Sequence, residues 1–420
     1  MRQLVRRMWI GLMFTGGVTG VAWAQKTMTW QQVRDEFEKS NPTLRAAQIG
    51  IDESRAEEVT AYLRPNPDFT LDFDQLDFFS NNPTSYRPFA FTEPLISASY
   101  LHERRHKREL RLESAQKATI VAQSQLADQE RTLIFNLRNA FVQTLQAKAI
   151  RELAIQNLAY YDHEISIGQD RFKAGDTARV DQDRLELQRV TYESDLQTAD
   201  VNLRTAKIQL LQLLNDRTPV EKFDVTGPFD FNEQVLVLDE LRRIAMEERP
   251  DLKAAVEAVD KAKTDYKLAV ANGSTDPTFG VDFGRNPPIP VYMGVNVTIP
   301  LRIFDRNQGE KARARLDITK NEKLRDAARA QVFSDVDSAY ATLTSTITLL
   351  RPYKAKYLQQ AARVRDTIEF SYQHGQAAFL DYLDSQRDYR SVQVTYLNLV
   401  GSYLTAASQL NLAVGREVIQ

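Results

Sequence analysis

Cysteine is absent from all 420 residues. Disulfide frameworks, zinc knuckles, iron–sulfur clusters and thiolate catalysis are therefore excluded, and so is lipid attachment through cysteine. An excess of charge of one sign is also missing. The 54 Lys and Arg stand against 56 Asp and Glu, which argues against a strongly basic nucleic-acid binder. After Gln25 there is no run of 18 apolar residues, so the chain cannot enter a membrane as transmembrane helices. Proline is missing between Pro94 and Pro219, and after Pro300 it occurs only at Pro352. The first gap holds just two glycines, Gly168 and Gly175. Charged residues make up 26% and the mean hydropathy is −0.43. On composition alone this is an ordinary soluble protein.

The N-terminus changes that picture. Arg2, Arg6 and Arg7 precede a largely apolar Met8–Val21, and Ala22-Trp23-Ala24 fits the small-x-small cleavage rule. Residues 1–24 are expected to be a secretory signal, because the apolar stretch is short for a span of hydrocarbon. Its removal leaves 51 basic against 56 acidic residues, an exported and mildly acidic chain.

The breaker-free stretches, rich in Ala, Leu, Gln, Arg and Glu, predict very long helices. Leu133, Leu137, Phe141, Leu145, Leu153 and Leu158 recur at helical spacing, and Leu383, Leu397 and Leu404 at multiples of seven. Such length points to coiled-coil packing. The chain also repeats itself at a period near 200. Pro42-Thr43-Leu44-Arg45-Ala46-Ala47 returns as Pro250-Asp251-Leu252-Lys253-Ala254-Ala255. Phe69, Leu71 and Phe73 return as Phe279, Val281 and Phe283, and Pro94-Leu95 as Pro300-Leu301. Asn139-Ala140-Phe141 returns as Ser338-Ala339-Tyr340. Phe172-x-x-Gly175 with Asp181 returns as Tyr372-x-x-Gly375 with Asp381. Each half is expected to hold a helix, two short strands, a very long helix, a Gly-marked turn and a second long helix. The first half places these near Trp30–Arg64, Asp68–Leu76, Tyr86–Phe91, Leu95–Ile167, Gly168–Ala178 and Arg179–Asn215. The second places them near Leu238–Asn272, Thr278–Gly284, Val291–Ile299, Leu301–Tyr372, His374–Ala378 and Phe379–Val414. The expected division is 25–215 and 238–415 for the repeats, 216–237 for an equatorial linker and 416–420 for a tail.

The strands alternate. Met293, Val295, Val297 and Ile299 share one face, with Tyr292, Gly294, Asn296 and Thr298 on the other. Phe69, Leu71 and Phe73 alternate with Thr70, Asp72 and Asp74. A soluble sheet with one wet face would read the same way. In an exported chain, two such hairpins suit an outer-membrane barrel, apolar outward and polar toward the lumen. Four strands cannot close, and open edges in lipid leave backbone groups unpaired. The chain is therefore expected to complete its barrel by oligomerising, three copies giving twelve strands.

Taken together, this order of elements resembles the TolC-type outer-membrane factor family over nearly the whole mature chain. The carrying residues are the strand-to-helix segment IPLRIFDRNQGEKARAR (Ile299–Arg315) and the turns FKAGDTARVD (Phe172–Asp181) and YQHGQAAFLDYLD (Tyr372–Asp384). The resemblance implies a mostly α fold with a small β part. Duplicated helical hairpins would form an α-helical barrel, and four strands per chain would join a trimeric 12-stranded β-barrel. It implies an outer-membrane duct of a tripartite efflux system, spanning the periplasm of a Gram-negative cell and exporting small molecules or cations. The implied partners are a periplasmic adaptor and an inner-membrane pump, nearest to the RND class, with outer-membrane lipid around the barrel and no nucleic acid. Gly175 and Gly375 would lie at the hairpin tips that meet the adaptor. Asp181 and Tyr372 match positions that hold the tip closed, and Asp381 and Asp384 match rings of inward-facing carboxylates at the channel constriction. Residues i and i+3 share a helix face, although acids at a helix N-terminus also suit the dipole. The family's best-known member has Arg two residues after the second-tip glycine, where this chain has Ala377.

Other functions find less support. His102-Glu103-Arg104-Arg105-His106 is a literal H-E-x-x-H, but two arginines lie inside it and Lys107, Arg108 and Arg111 follow, a field that opposes a dication. A basic patch facing anionic headgroups fits better. His163 and His374, near the tips, read as solvated turn residues. No nucleophile elbow, P-loop or dinucleotide fingerprint occurs. No enzyme activity, metal or cofactor is therefore expected. The alternatives are the duct of a type I protein secretion system and a periplasmic coiled-coil adaptor.

Overall fold

The computed structural model describes residues 26–76, 92–234, 236–286 and 289–419; the expected signal and the strand expected at Tyr86–Phe91 lie outside them. The breaker-free stretch becomes α3 (Lys107–Ala174), 68 residues long, or about 100 Å at 1.5 Å per residue. It doubles back into α4 (Arg179–Leu213). In the second half α7 (Gln308–Pro352) passes through one π turn at Tyr353–Tyr357 into α8 (Leu358–Gln373), which doubles back into α9 (Phe379–Val414). The sequence pattern drew α7 and α8 as one helix. Pro352 divides them, because it lacks the N–H of the regular ladder and its ring crowds the carbonyl four residues back.

Both long helices begin later than expected, at Lys107 and Gln308 rather than Leu95 and Leu301. Residues Glu93–Leu101 are a strand because they pair on both sides, and cross-strand packing outweighs local helix propensity. Each long helix is entered through a left-handed residue, His106 (φ 57°) or Asn307 (φ 61°). These positions fix the true repeat offset here, so Pro94, inside a strand, is not the structural counterpart of Pro300, which follows one.

Shorter helices flank the long ones: α1 (Trp30–Ser40), α2 (Pro42–Tyr62), α5 (Leu238–Glu248) and α6 (Pro250–Asn272). Pro42 and Pro250 occupy the first helical position, where no N–H is needed. The two corners are tied to equivalent places. Asn41 Nδ2 donates to the Leu213 carbonyl at 2.9 Å, and Arg249 Nη1 to the Ala413 carbonyl at 3.1 Å. The Asn41 side chain also caps α2 by accepting from Leu44 N at 3.0 Å. Around these corners sit two cores. One gathers Phe37, Leu137, Phe141, Leu210 and Phe223, and the other Leu241, Val336, Leu343, Tyr403 and Leu410. The segment after α4 contributes β4 (Phe223–Val225), which pairs in parallel with β1 (Lys26–Met28).

Side by side the helices form a layer. Next to the strands the packing order is α2, α3, α6, α7; toward the turns it is α4, α3, α9, with α7 and α8 beyond. At the far end β2 (Asp68–Asp74), β3 (Glu93–Leu101), β5 (Thr278–Asn286) and β6 (Ile289–Thr298) make one antiparallel sheet in the order β2-β3-β5-β6.

Candidate functional site

Two regions carry functional geometry: the sheet at one end and the helical turns at the other. Register in the sheet aligns side chains into rows. Phe69, Ala98, Val281 and Val295 form one row, and Leu71, Ile96, Phe283 and Met293 the next. The intervening rows on the opposite face include Thr70, Ser97, Asp282 and Gly294, and Asn296 Nδ2 donates to Asp282 Oδ2 at 2.9 Å. One face is thus apolar from edge to edge and the other polar. Among the described residues nothing covers the apolar face, with Val295 79% and Met293 77% exposed. No helix among the described residues is long and apolar enough to cross a membrane.

The joint between sheet and helices is polar and fixed. Lys107, only 4% exposed, places Nζ 2.5 Å from Asp276 Oδ2 and 3.0 Å from the Ser274 carbonyl. Asp276 also accepts from Arg104 N at 2.9 Å. The H-E-x-x-H residues fall in this joint, and they are not helical, since α3 starts one residue after His106. Glu103 is engaged by both terminal nitrogens of Arg111. Among the described residues no cluster of three metal-ligating side chains occurs.

At the other end the two turns are built alike. Gly175 and Gly375 take positive φ (86° and 71°). Asp176 N donates to the Arg171 carbonyl at 2.9 Å, and Gln376 N to Ser371 at 2.7 Å. This is the closure that glycine permits at a helix C-terminus. Gly168 is not part of the turn. It lies within α3, where an added Cβ would come 2.8 Å from Leu185, so it marks close approach of α3 and α4.

Between the turns Tyr161, Ile165, Leu185, Tyr192 and Tyr382 form a small buried cluster. Tyr372 packs at its rim, stacked on Tyr382 at 5.0 Å and beneath Arg171 at 5.1 Å. Burial raises the Tyr372 pKa, the Arg171 charge opposes this and the Asp181 and Glu164 charges add to it; Asp181 makes a 3.7 Å ion pair with Arg184. Asp381 is exposed in the first turn of α9; Asp384, one turn on, pairs with Arg387 at 3.2 Å. His163 and His374 are both exposed, but His163 lies inside α3 and is not a turn residue, while His374 Nδ1 lies 2.8 Å from the Phe370 carbonyl and its ring packs on Phe370.

The polar link between the two hairpins uses residues the sequence did not single out. Tyr382 donates to Glu164 Oε2 at 2.8 Å, inside the cluster. Tyr160 donates to Glu369 and accepts from Gln386 Nε2 at 3.3 Å. Burial pushes the Glu164 carboxyl above the usual range; the Tyr382 bond opposes this and the Glu369 charge adds to it. A carboxylate and a tyrosine at apolar helix positions were the available signal, but only the packing of α3 on α9 brings them together.

Comparison with known proteins agrees with this geometry. Residues 241–416 match the family model described as outer membrane efflux protein. The cobalt-zinc-cadmium resistance protein CzcC of Cupriavidus metallidurans is 24% identical over 321 residues, covering 74% of each chain. The pyoverdine export outer membrane protein OpmQ of Pseudomonas aeruginosa is 24% identical over 361 residues, covering 83% of this chain and 72% of the relative. A crystal structure of CusC superposes with a TM-score of 0.76 over 92% of both chains at 17% identity.

Proposed function

We propose that the chain, whose residues 241–416 match the outer membrane efflux protein model, is a member of that family and that three copies assemble into the exit duct of a tripartite efflux system. It is an outer-membrane component with a large helical periplasmic part. The carrying observation is the sheet: one face apolar across four strands and, among the described residues, no cover on it and two open edges at β2 and β6. Water penalises the face and lipid penalises the edges, so insertion into a membrane removes the first cost and closure with other copies the second. Twelve strands are enough for a barrel, and the polar rows bearing Asp282 then line its lumen.

The helical layer supports the same assembly. Val180, Leu187, Val201 and Ile208 fall on one seven-residue stripe of α4, each more than half exposed. At the opposite edge Leu316, Leu324 and Leu349 of α7 are equally exposed. An α4 stripe meeting the α7–α8 edge of the next copy is a head-to-tail contact, which closes into a ring. In this reading the two repeats, 25–215 and 238–415, each supply one hairpin to the α-helical barrel, and 216–237 lies at its equator.

The tips around Gly175 and Gly375 then meet a periplasmic adaptor, and an inner-membrane pump of the RND class supplies the energy. Asp181 and Tyr372 help hold the tip. Asp381 and Asp384, gathered by threefold symmetry, form a cation-attracting constriction, with Arg387, paired to Asp384 and Asp388, moderating the charge of Asp384. The cargo comprises small molecules or cations, in line with the metal-resistance and pyoverdine-export names of the relatives. The test is cross-linked mass in outer-membrane fractions together with planar-bilayer conductance. A trimer-sized, membrane-bound, conducting species is expected, and recovery as a soluble monomer would overturn the proposal.

A further inference from the structure

Beside the corner at Pro250, where α1, α3 and the end of α9 meet, lies a cavity of about 290 Å³. That is the lower end of the size range for small-ligand sites. Apolar side chains of Ile134, Phe135 and Leu404 line part of it. Four arginines line it, with the acids Glu130 and Glu417; Arg416 is exposed, and the other three differ in how they are used. Arg34 is held by Glu38 at 2.8 Å, and Arg131 by Asp128 at 2.5 Å and by the Leu412 carbonyl. Arg138 instead lies over the Trp30 ring at 4.5 Å and within 5.9 Å of Phe141. No carboxylate or carbonyl among the described residues accepts from it. Burial makes its charge costly, and Glu417 is the acid that offsets part of that cost through space.

A guanidinium stacked on indole has its face occupied and its edge donors free. Five N–H groups in a fixed fork match a carboxylate in a bidentate bond. We propose that this cavity binds a small organic carboxylate, with the anionic end on Arg138 and an apolar or aromatic body against Ile134, Phe135 and Leu404. The helices at the edges of the layer, α2, α4, α7 and α8, do not line the cavity, so assembly through those edges leaves it open. The site joins α1 and α3 of the first repeat to α9 of the second.

The full chain lacking residues 1–24 provides its own probe, because Trp30 is then the sole tryptophan. Sodium benzoate, sodium acetate and neutral benzamide are titrated into the detergent-purified protein, read by Trp30 fluorescence and calorimetry. Benzoate is expected to bind saturably, acetate at least about tenfold more weakly and benzamide not measurably. Arg138→Gln is expected to weaken benzoate at least about tenfold. Glu417→Gln, a change in the tail that leaves the core untouched, is expected to tighten benzoate several-fold by removing the competing charge. It keeps the test valid should Arg138→Gln fail to fold. Absence of saturable benzoate binding, equal affinity for benzamide, or no effect of either substitution would each overturn the assignment. Acetate binding as tightly as benzoate would remove the apolar subsite.

Discussion

At the residue scale the most consequential group is Glu164, a nearly buried carboxylate that accepts from Tyr382. Its folded-state pKa is raised, so the folded tip binds a proton more tightly than the unfolded chain does. The sign follows from linkage: the associated stability is complete below the usual glutamate value and is lost as pH rises through the raised one. The groups facing Glu164 are Tyr382, Glu369, His163 and Arg365. Protection factors of the 160–168 and 379–386 amides, meaning exchange corrected for its intrinsic base-catalysed rate, are expected to fall between acidic and neutral pH in the wild type. Glu164→Gln keeps an acceptor without the charge, so it should flatten that dependence; an unchanged pH profile would show that another group governs the tip. Tyr382→Phe leaves the carboxylate without its donor and should destabilise the tip by about 1–3 kcal/mol. None of this was legible in the sequence, where Tyr382 and Glu164 lie 218 positions apart. Asp181, Tyr372, Asp381 and Asp384 were singled out only because the turns that hold them resemble those of a known family, and their roles at the tip and constriction belong to the proposal. What the sequence missed there is that Asp384 already has Arg387 as a neighbour.

At the element scale, the long helices were legible from the missing prolines, but their starting points were not. Residues 93–101 carry helix-compatible residues, yet they form β3 because β2 and β5 flank them. The switch from strand to helix is held by Lys107, whose ammonium is buried against Asp276. Removing one partner of such a pair strands the other charge, and Lys107→Met is expected to cost about 3–5 kcal/mol. Thermal unfolding would read this as a clear fall in Tm. Lys107→Met combined with Asp276→Asn should recover much of the loss, since the uncompensated carboxylate is then gone. The turns behave differently. Gly375→Ala meets no neighbouring atom but must hold φ near +71°, a local cost of about 1 kcal/mol expected to appear at the tip and not in the cores.

For the whole molecule, the question is what covers the apolar sheet and the exposed helix edges. Val201→Asp places a charge on the α4 stripe, far from the sheet and outside every core cluster. It is expected to shift cross-linked protein from trimer toward monomer while leaving helix content unchanged; trimers that form as before would mean that α4 is not a contact edge. Asp381→Asn with Asp384→Asn should lower cation selectivity in planar bilayers without abolishing conductance, and unchanged selectivity would remove these aspartates from the constriction.

The sequence by itself determined the duplication, the helical hairpins and the alternation of the strands. Each of these depends on local periodicity or on the positions of glycine and proline, and such signals survive in one dimension. Only the tertiary structure decided which rows of the four strands align, where Pro352 interrupts a helix, and which tyrosine meets which glutamate. Those outcomes depend on register and packing between segments as much as two hundred residues apart, where a shift of one position changes every neighbour.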